Sequence, residues 1–144
     1  MKRENLYSNY SFMYEISLRK GDIMKVFIAN DSAILCDRIM EMLSEIPGIQ
    51  VIGQASTSQH AIDSIRKLKP DTVILDIRMK KESGIKILKE IKKEYPSIIL
   101  IIFTSYPRSQ YYKKCIDLGA NYFFDKSTEF DKLKETLEDL IKEK

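Results

Sequence analysis

Polar residues stand directly behind four apolar runs, and their types suit phosphorus chemistry. Asn30-Asp31 follows Lys25–Ala29, and Asp76 follows Thr72–Leu75. Thr104-Ser105 follows Ile98–Phe103, and Asp125-Lys126 follows Asn121–Phe124. A carboxylate such as Asp76 can attack phosphorus and form an acyl phosphate, which replaces one negative charge by roughly two. Each unit-charge pair at ~4 Å and an effective dielectric near 20 is worth ~4 kcal/mol, so a second acid, Asp31, brought beside Asp76 needs a compensating cation. Mg2+, held by one or two carboxylates and retaining several waters, suits that task. Lys126 supplies a further positive charge, and the Thr104 hydroxyl can donate to a phosphoryl oxygen.

These residues meet only if the apolar runs are neighbouring strands. Short apolar runs alternate with helical stretches from Met24 onward, which is the pattern of βαβ units around a parallel sheet. The strands are expected at Lys25–Ala29, Ile49–Gly53, Thr72–Leu75, Ile98–Phe103 and Asn121–Phe124. The fourth is apolar at every position, which requires cover on both faces. The first helix starts near Ser32 and stops at Pro47-Gly48, with Ile34, Leu35, Ile39, Met42, Leu43 and Ile46 as its buried stripe. The second covers about Ser58–Leu68, ahead of Pro70. The third follows Gly84 and runs to Tyr95-Pro96. The fourth starts by Pro107 and ends at Gly119. The fifth follows Ser127-Thr128, with Asp131 placed to cap it and Leu133, Leu137, Leu140 and Ile141 facing inward. In an open parallel α/β sheet, ligands bind at the carboxyl ends of the strands where the strand order reverses. A strand order of 2-1-3-4-5 brings Asp31, Asp76, Thr104 and Lys126 into one pocket.

The bulk composition narrows the alternatives. The 144 residues suit one domain and one core, with 44% hydrophobic and 31% charged residues. The 24 basic and 21 acidic residues are too balanced to indicate nucleic-acid binding by charge. Residues 1–23 carry four basic and three acidic residues, so the remainder stays near neutral at +2. Cys36 and Cys115 fall in helices expected on opposite faces of the sheet, too far apart for a disulfide. No run approaches the ~18 apolar residues of a membrane span, and Asn5, Ser8, Asn9 and Ser11 interrupt any signal-peptide core. A cytoplasmic protein with reduced cysteines and no membrane contact is expected.

Residues 24–144 resemble the receiver domain of two-component response regulators. The matching residues are Asn30-Asp31, Asp76-Ile77-Arg78-Met79, Gly84 eight residues beyond Asp76, Phe103-Thr104-Ser105, and Lys126. The resemblance implies a flavodoxin-like, doubly wound (βα)5 three-layer α/β sandwich. It implies that Asp76 accepts phosphate from a histidine kinase or phosphotransfer protein. It implies Mg2+ held by Asp31, Asp76, the Arg78 carbonyl and, through a water, Asn30. Thr104 and Lys126 would hold the phosphoryl group. Phe123 falls at the switch position, so that Thr104 moving inward would let Phe123 turn in and reshape the surface of the fourth helix, fifth strand and fifth helix for a downstream target. Such a chain catalyses only its own phosphoryl uptake and hydrolysis, as a monomer or a weak phosphorylation-dependent homodimer with no direct nucleic-acid contact. Two positions depart from the family pattern: Asn30 replaces the first of two acids, and Lys80 replaces a proline, with a loss of rigidity in that loop.

Taken singly, these residues have plainer readings. Asp76 and Thr104 could be helix caps, Lys126 a solvated lysine and Phe123 ordinary core. His60 reads as a surface residue, and Tyr111-Tyr112-Lys113-Lys114 as either an amphipathic helix or a partner patch. Arg78 and Tyr106 are expected at the pocket mouth, limiting water. Residues 1–23 read either as a tag-like or mis-started leader, or as a short extra helix. A phosphatase would carry a second Asp where Arg78 stands. A flavin-phosphate site would need a Gly/Ser/Thr-rich loop where Asn30-Asp31 stands. A degenerate receiver, docking partners without phosphate, is the remaining alternative, and Asn30 leans toward it.

Overall fold

The computed structural model describes residues 23–79 and 82–143. Along them run β1 (Met24–Ala29), α1 (Ala33–Leu43), β2 (Ile49–Ala55), α2 (Ser58–Leu68), β3 (Thr72–Leu75), β4 (Arg78–Met79), β5 (Glu82–Ser83), α3 (Gly84–Glu94), β6 (Ile99–Thr104), α4 (Arg108–Asp117), β7 (Tyr122–Asp125) and α5 (Phe130–Lys142). Five strands pair in parallel in the order β2-β1-β3-β6-β7. This is the expected 2-1-3-4-5 sheet, with β6 and β7 as its fourth and fifth strands. The β4–β5 hairpin is an addition: Arg78 faces Ser83 and Met79 faces Glu82 in an antiparallel pair. Strands of two residues leave no periodicity to read in a sequence.

Alternate residues of each strand enter opposite layers. Phe27, Val73, Leu75, Leu100 and Ile102 pack under α2, α3 and α4 with Ile62, Ile65, Ile87, Leu88 and Ile91. Val26, Ile28, Ile74, Ile101 and Phe103 pack under α1 and α5 with Leu35, Ile39, Leu43, Leu133 and Leu137. The apolar fourth run thus has cover on both faces. Cys115 lies in the first layer and Cys36 in the second; both are free and buried. Among the described residues, no helix is long and apolar enough to cross a membrane.

Side-chain caps set most helix starts. Ser32, Thr57 and Ser83 accept from the amides of Leu35, His60 and Ile85, closing the N-termini of α1, α2 and α3. Pro107 opens α4, and Gly119, at φ +109°, turns the chain from its end toward β7.

Four expectations need adjustment. Ile34 is 76% exposed. At 100° per residue it sits about 140° from the centre of the stripe made by Leu35, Cys36, Ile39, Met42 and Leu43. The α1 helix ends at Leu43, short of Pro47-Gly48, and the chain turns through Ser44–Pro47 instead. The second strand runs two residues further than expected, to Ala55. Asp131 caps nothing: Asp125 Oδ1 accepts from the amides of Ser127 (2.7 Å) and Thr128 (3.2 Å), and that turn delays the helix. Glu129 becomes the N-cap without a side-chain bond, which leaves Asp131 inside the first turn, where the helix dipole favours its charge. The expected leader, residues 1–23, lies outside the described residues except for Ile23.

Candidate functional site

The parallel register aligns Ala29 with Leu75, Leu75 with Ile102, and Ile102 with Phe123. The residues just beyond these positions therefore emerge together at one edge of the sheet. Asn30 and Asp76 are 5% exposed and Thr104 is fully buried. Asp31 is exposed beside them, and Lys126 is partly covered.

Asp76 is the hub. Its Oδ1 accepts from the Thr104 hydroxyl at 2.7 Å, and its Oδ2 accepts from Lys126 Nζ at 2.9 Å. The Asn30 side-chain amide also donates to Oδ2, at 3.3 Å, while the Arg78 backbone amide approaches Oδ1 at 3.5 Å. The Ser32 amide donates to Asn30 Oδ1 at 2.8 Å, which fixes the orientation: the carbonyl faces the Ser32 amide, so the NH2 must face Asp76. Gly84 has a steric reason to be glycine, because a Cβ there would collide with the backbone carbonyl oxygen of Asp76.

Arg78 and Tyr106 bond to each other, the guanidinium donating to the phenol oxygen at 2.9 Å. That bond raises the already high pKa of Arg78. The Tyr106 amide donates to Thr104 Oγ1 at 3.3 Å, and its ring lies 5.2 Å from that of Tyr111. Phe123 is turned inward and 5% exposed, with the Tyr112 ring edge-on at 5.8 Å.

The sequence reading did not single out Arg108. It donates to the Phe123 carbonyl at 3.2 Å, and its guanidinium stands 4.0 Å above the Tyr112 ring. The signal was an Arg and a Tyr four residues apart on one helix, close enough for a cation–π contact. His60 is exposed, as expected. In the α4 tyrosine–lysine run Tyr111 packs against the core, whereas Lys113 is exposed and paired with Asp117.

The donor chemistry at this edge is hard oxygen: the Asp31 and Asp76 carboxylates and nearby backbone carbonyls. Among the described residues, no three His, Cys, Asp or Glu side chains converge on one point. Two carboxylates fit a small cation that keeps most of its own waters, which is the Mg2+ habit.

Comparison with known proteins identifies the family and the fold. A model of the response regulator receiver domain matches residues 26–138. The uncharacterised transcriptional regulatory protein YvfU of Bacillus subtilis (strain 168) is 31% identical over 122 residues, covering 85% of this chain and 61% of that protein. A protein-glutamate methylesterase/protein-glutamine glutaminase of Clostridium acetobutylicum is 34% identical over 121 residues, covering 83% of this chain and 35% of the relative. The chain thus spans less than two thirds of either relative. Among solved structures, the isolated REC domain of RcsB from Salmonella enterica serovar Typhimurium, in the presence of the phosphomimetic BeF3-, superposes with a TM-score of 0.76 at 28% identity, covering 83% of this chain and 89% of that one. The response regulator domain of Thermotoga maritima CheB gives 0.72 at 26% identity, covering 84% and 95%.

Proposed function

The chain belongs to the response regulator receiver domain family, and on that premise we propose that it is a phosphorylation switch whose acceptor is Asp76. The observation that carries this reading is the donor set on one nearly buried carboxylate: the Thr104 hydroxyl on Oδ1 and the Lys126 ammonium on Oδ2.

A carboxylate oxygen of Asp76 attacks the phosphorus of a phosphohistidine on a sensor kinase or phosphotransfer protein. The P–O bond forms as the P–N bond breaks, and the imidazole leaves with the electron pair and takes up a proton. Asp31, Asp76 and the Arg78 carbonyl would hold Mg2+, with Asn30 reached through a water; the bound cation would offset the negative charge on the phosphoryl oxygens. Lys126 neutralises part of the added charge, and Thr104 can pass its hydrogen bond from the carboxylate to a phosphoryl oxygen. Hydrolysis returns Asp76 and releases phosphate, so this self-limited chemistry is the only catalysis proposed.

Thr104 and Phe123 are the switch pair in this reading. The output is the exposed face of α4, β7 and α5, offered to a downstream target protein or to a second copy in a weak phosphorylation-dependent dimer. The same reading places the chain in the cytoplasm as residues 24–144 of receiver preceded by a leader, with no direct role for nucleic acid or membrane.

A second reading draws on Asn30. Its amide, Thr104 and Lys126 together satisfy Asp76 without any metal ion, as an unphosphorylated docking module would require. Intact mass after incubation with Mg2+ and a small acyl phosphate separates the two, with Asp76→Asn as control. One added phosphoryl group on the wild type alone supports the switch. No addition, together with no Mg2+ binding, supports the docking module.

A further inference from the structure

We infer that Glu82, acting with Ser58, is a positioning pair that braces the acceptor loop from the neighbouring helix. The inference rests on Asp76 being the phosphoryl acceptor. After Asp76 the chain runs through Ile77 into the β4–β5 hairpin, with Met79 fully buried as its anchor in the core. The hairpin's second strand is tied to the start of α2 by two bonds, both donated by Ser58. The Ser58 amide donates to Glu82 Oε1 at 2.6 Å, and the Ser58 hydroxyl donates to the Ser83 carbonyl at 3.0 Å.

Each bond answers a local need. Ser58 is the first residue of α2, so its amide has no partner within the helix. The first turn of α2 carries no acidic residue. Glu82 supplies both an acceptor and a negative charge at a helix N-terminus, from another segment of the chain. Ser58 is itself 3% exposed, so an unbonded hydroxyl there would be costly. Ser83 caps α3 with its own side chain while its carbonyl takes the Ser58 hydroxyl, so α2, the hairpin and α3 form one connected frame.

The frame bears on the acceptor through register. Arg78 lies directly opposite Ser83, and Met79 opposite Glu82. The Arg78 amide is the backbone group that approaches Asp76 Oδ1, and its carbonyl is the proposed cation ligand. A brace at Glu82 and Ser83 therefore limits how far Arg78 can drift from Asp76, although neither Glu82 nor Ser58 touches the acceptor.

The test uses the full-length chain carrying Glu82→Ala, Glu82→Gln or Ser58→Ala. Three quantities are read: phosphoryl uptake from a small acyl phosphate across a Mg2+ series, Mg2+ binding to the unphosphorylated protein by NMR shifts, and the thermal midpoint. Loss of groups that support metal ligands typically weakens binding 10–100-fold, so Glu82→Ala is expected to raise the half-saturating Mg2+ about tenfold in both assays. Glu82→Gln, which keeps an acceptor, should fall between Glu82→Ala and wild type even if the alanine variant folds poorly. A lower thermal midpoint with unchanged Mg2+ dependence of uptake and binding would make the pair merely structural and overturn the proposal. Wild type that takes up no phosphoryl group would instead overturn the assignment of Asp76, and the brace with it.

Discussion

The Asn30 side chain donates from its NH2 to Asp76 Oδ2 at 3.3 Å, and its carbonyl oxygen accepts from the Ser32 amide at 2.8 Å. An acid at position 30 would offer Asp76 no proton and would add a negative charge beside it. The amide stabilises the carboxylate in the absence of a metal ion, at the expense of charge that would attract one. Asn30→Asp is therefore expected to lower the melting temperature of the metal-free protein. Mg2+ should restore it, with a titration midpoint about tenfold tighter than wild type. Calorimetric titration and melting with and without chelator provide the check; an unchanged or looser midpoint would refute the account.

Thr104 is fully buried, and its hydroxyl serves both Asp76 and the Tyr106 amide. Thr104→Val keeps the shape and removes that hydroxyl. Hydrogen bonds to charged groups contribute about 1.5–3 kcal/mol, so chemical denaturation should show a loss of about 2 kcal/mol. The phosphorylated form should also fail to produce the wild-type change in α4 amide exchange. A full exchange response in the valine variant would remove Thr104 from the switch.

The Arg78–Tyr106 bond joins the residue two beyond Asp76 to the residue two beyond Thr104. If this pair limits water at the acceptor, Arg78→Ala and Tyr106→Phe should each shorten the life of the phosphoryl group several-fold, the alanine change more. Decay of the added mass in buffer measures it directly. Because its bond to Tyr106 raises the Arg78 pKa further, the guanidinium stays charged at any working pH and the effect should not vary between pH 6 and 9.

Gly84 leaves no room for a side chain against the Asp76 carbonyl. Gly84→Ala must push the loop away from the acceptor, and strain of this kind typically costs about 1–3 kcal/mol. Both the denaturation midpoint and phosphoryl uptake should fall. A variant with wild-type uptake would show that the close approach is not required.

Burial, the first cause for each, raises the thiol pKa of Cys36 and Cys115. A group whose pKa is higher folded than unfolded favours the native state below the unfolded value, about 8.5 for a thiol. That contribution is lost as pH climbs from there through the folded value. Stability should consequently decline above about pH 8.5, and Cys115→Ala should flatten part of the decline. Alkylation at pH 8 should be slow until the protein unfolds.

Much of the fold was legible from periodicity and punctuation. The run Ile98–Phe103 announced a strand covered on both faces, and polar residues behind each run marked the edge where ligands meet. Asp76, Thr104 and Lys126 were readable because each stands at a strand end, and strand ends converge once the sheet order is known. The order itself comes with the resemblance to receiver domains; right-handed βαβ connections then decide which face of the sheet each helix covers.

Tertiary structure decided what depends on direction and on distant partners. Ile34 belongs to an apolar run, yet its angle around α1 turns it to solvent. Asp131 has the right type for a cap, but the Asp125 turn moves the helix start past the position it would need. The donor role of Asn30 depends on the Ser32 amide taking its carbonyl, and the brace from Glu82 to Ser58 spans 24 residues. Residue types and spacings determine which elements form and which chemistry is within reach. Which way an amide faces, and which helix end a carboxylate answers, is settled only when packing brings the unsatisfied groups together.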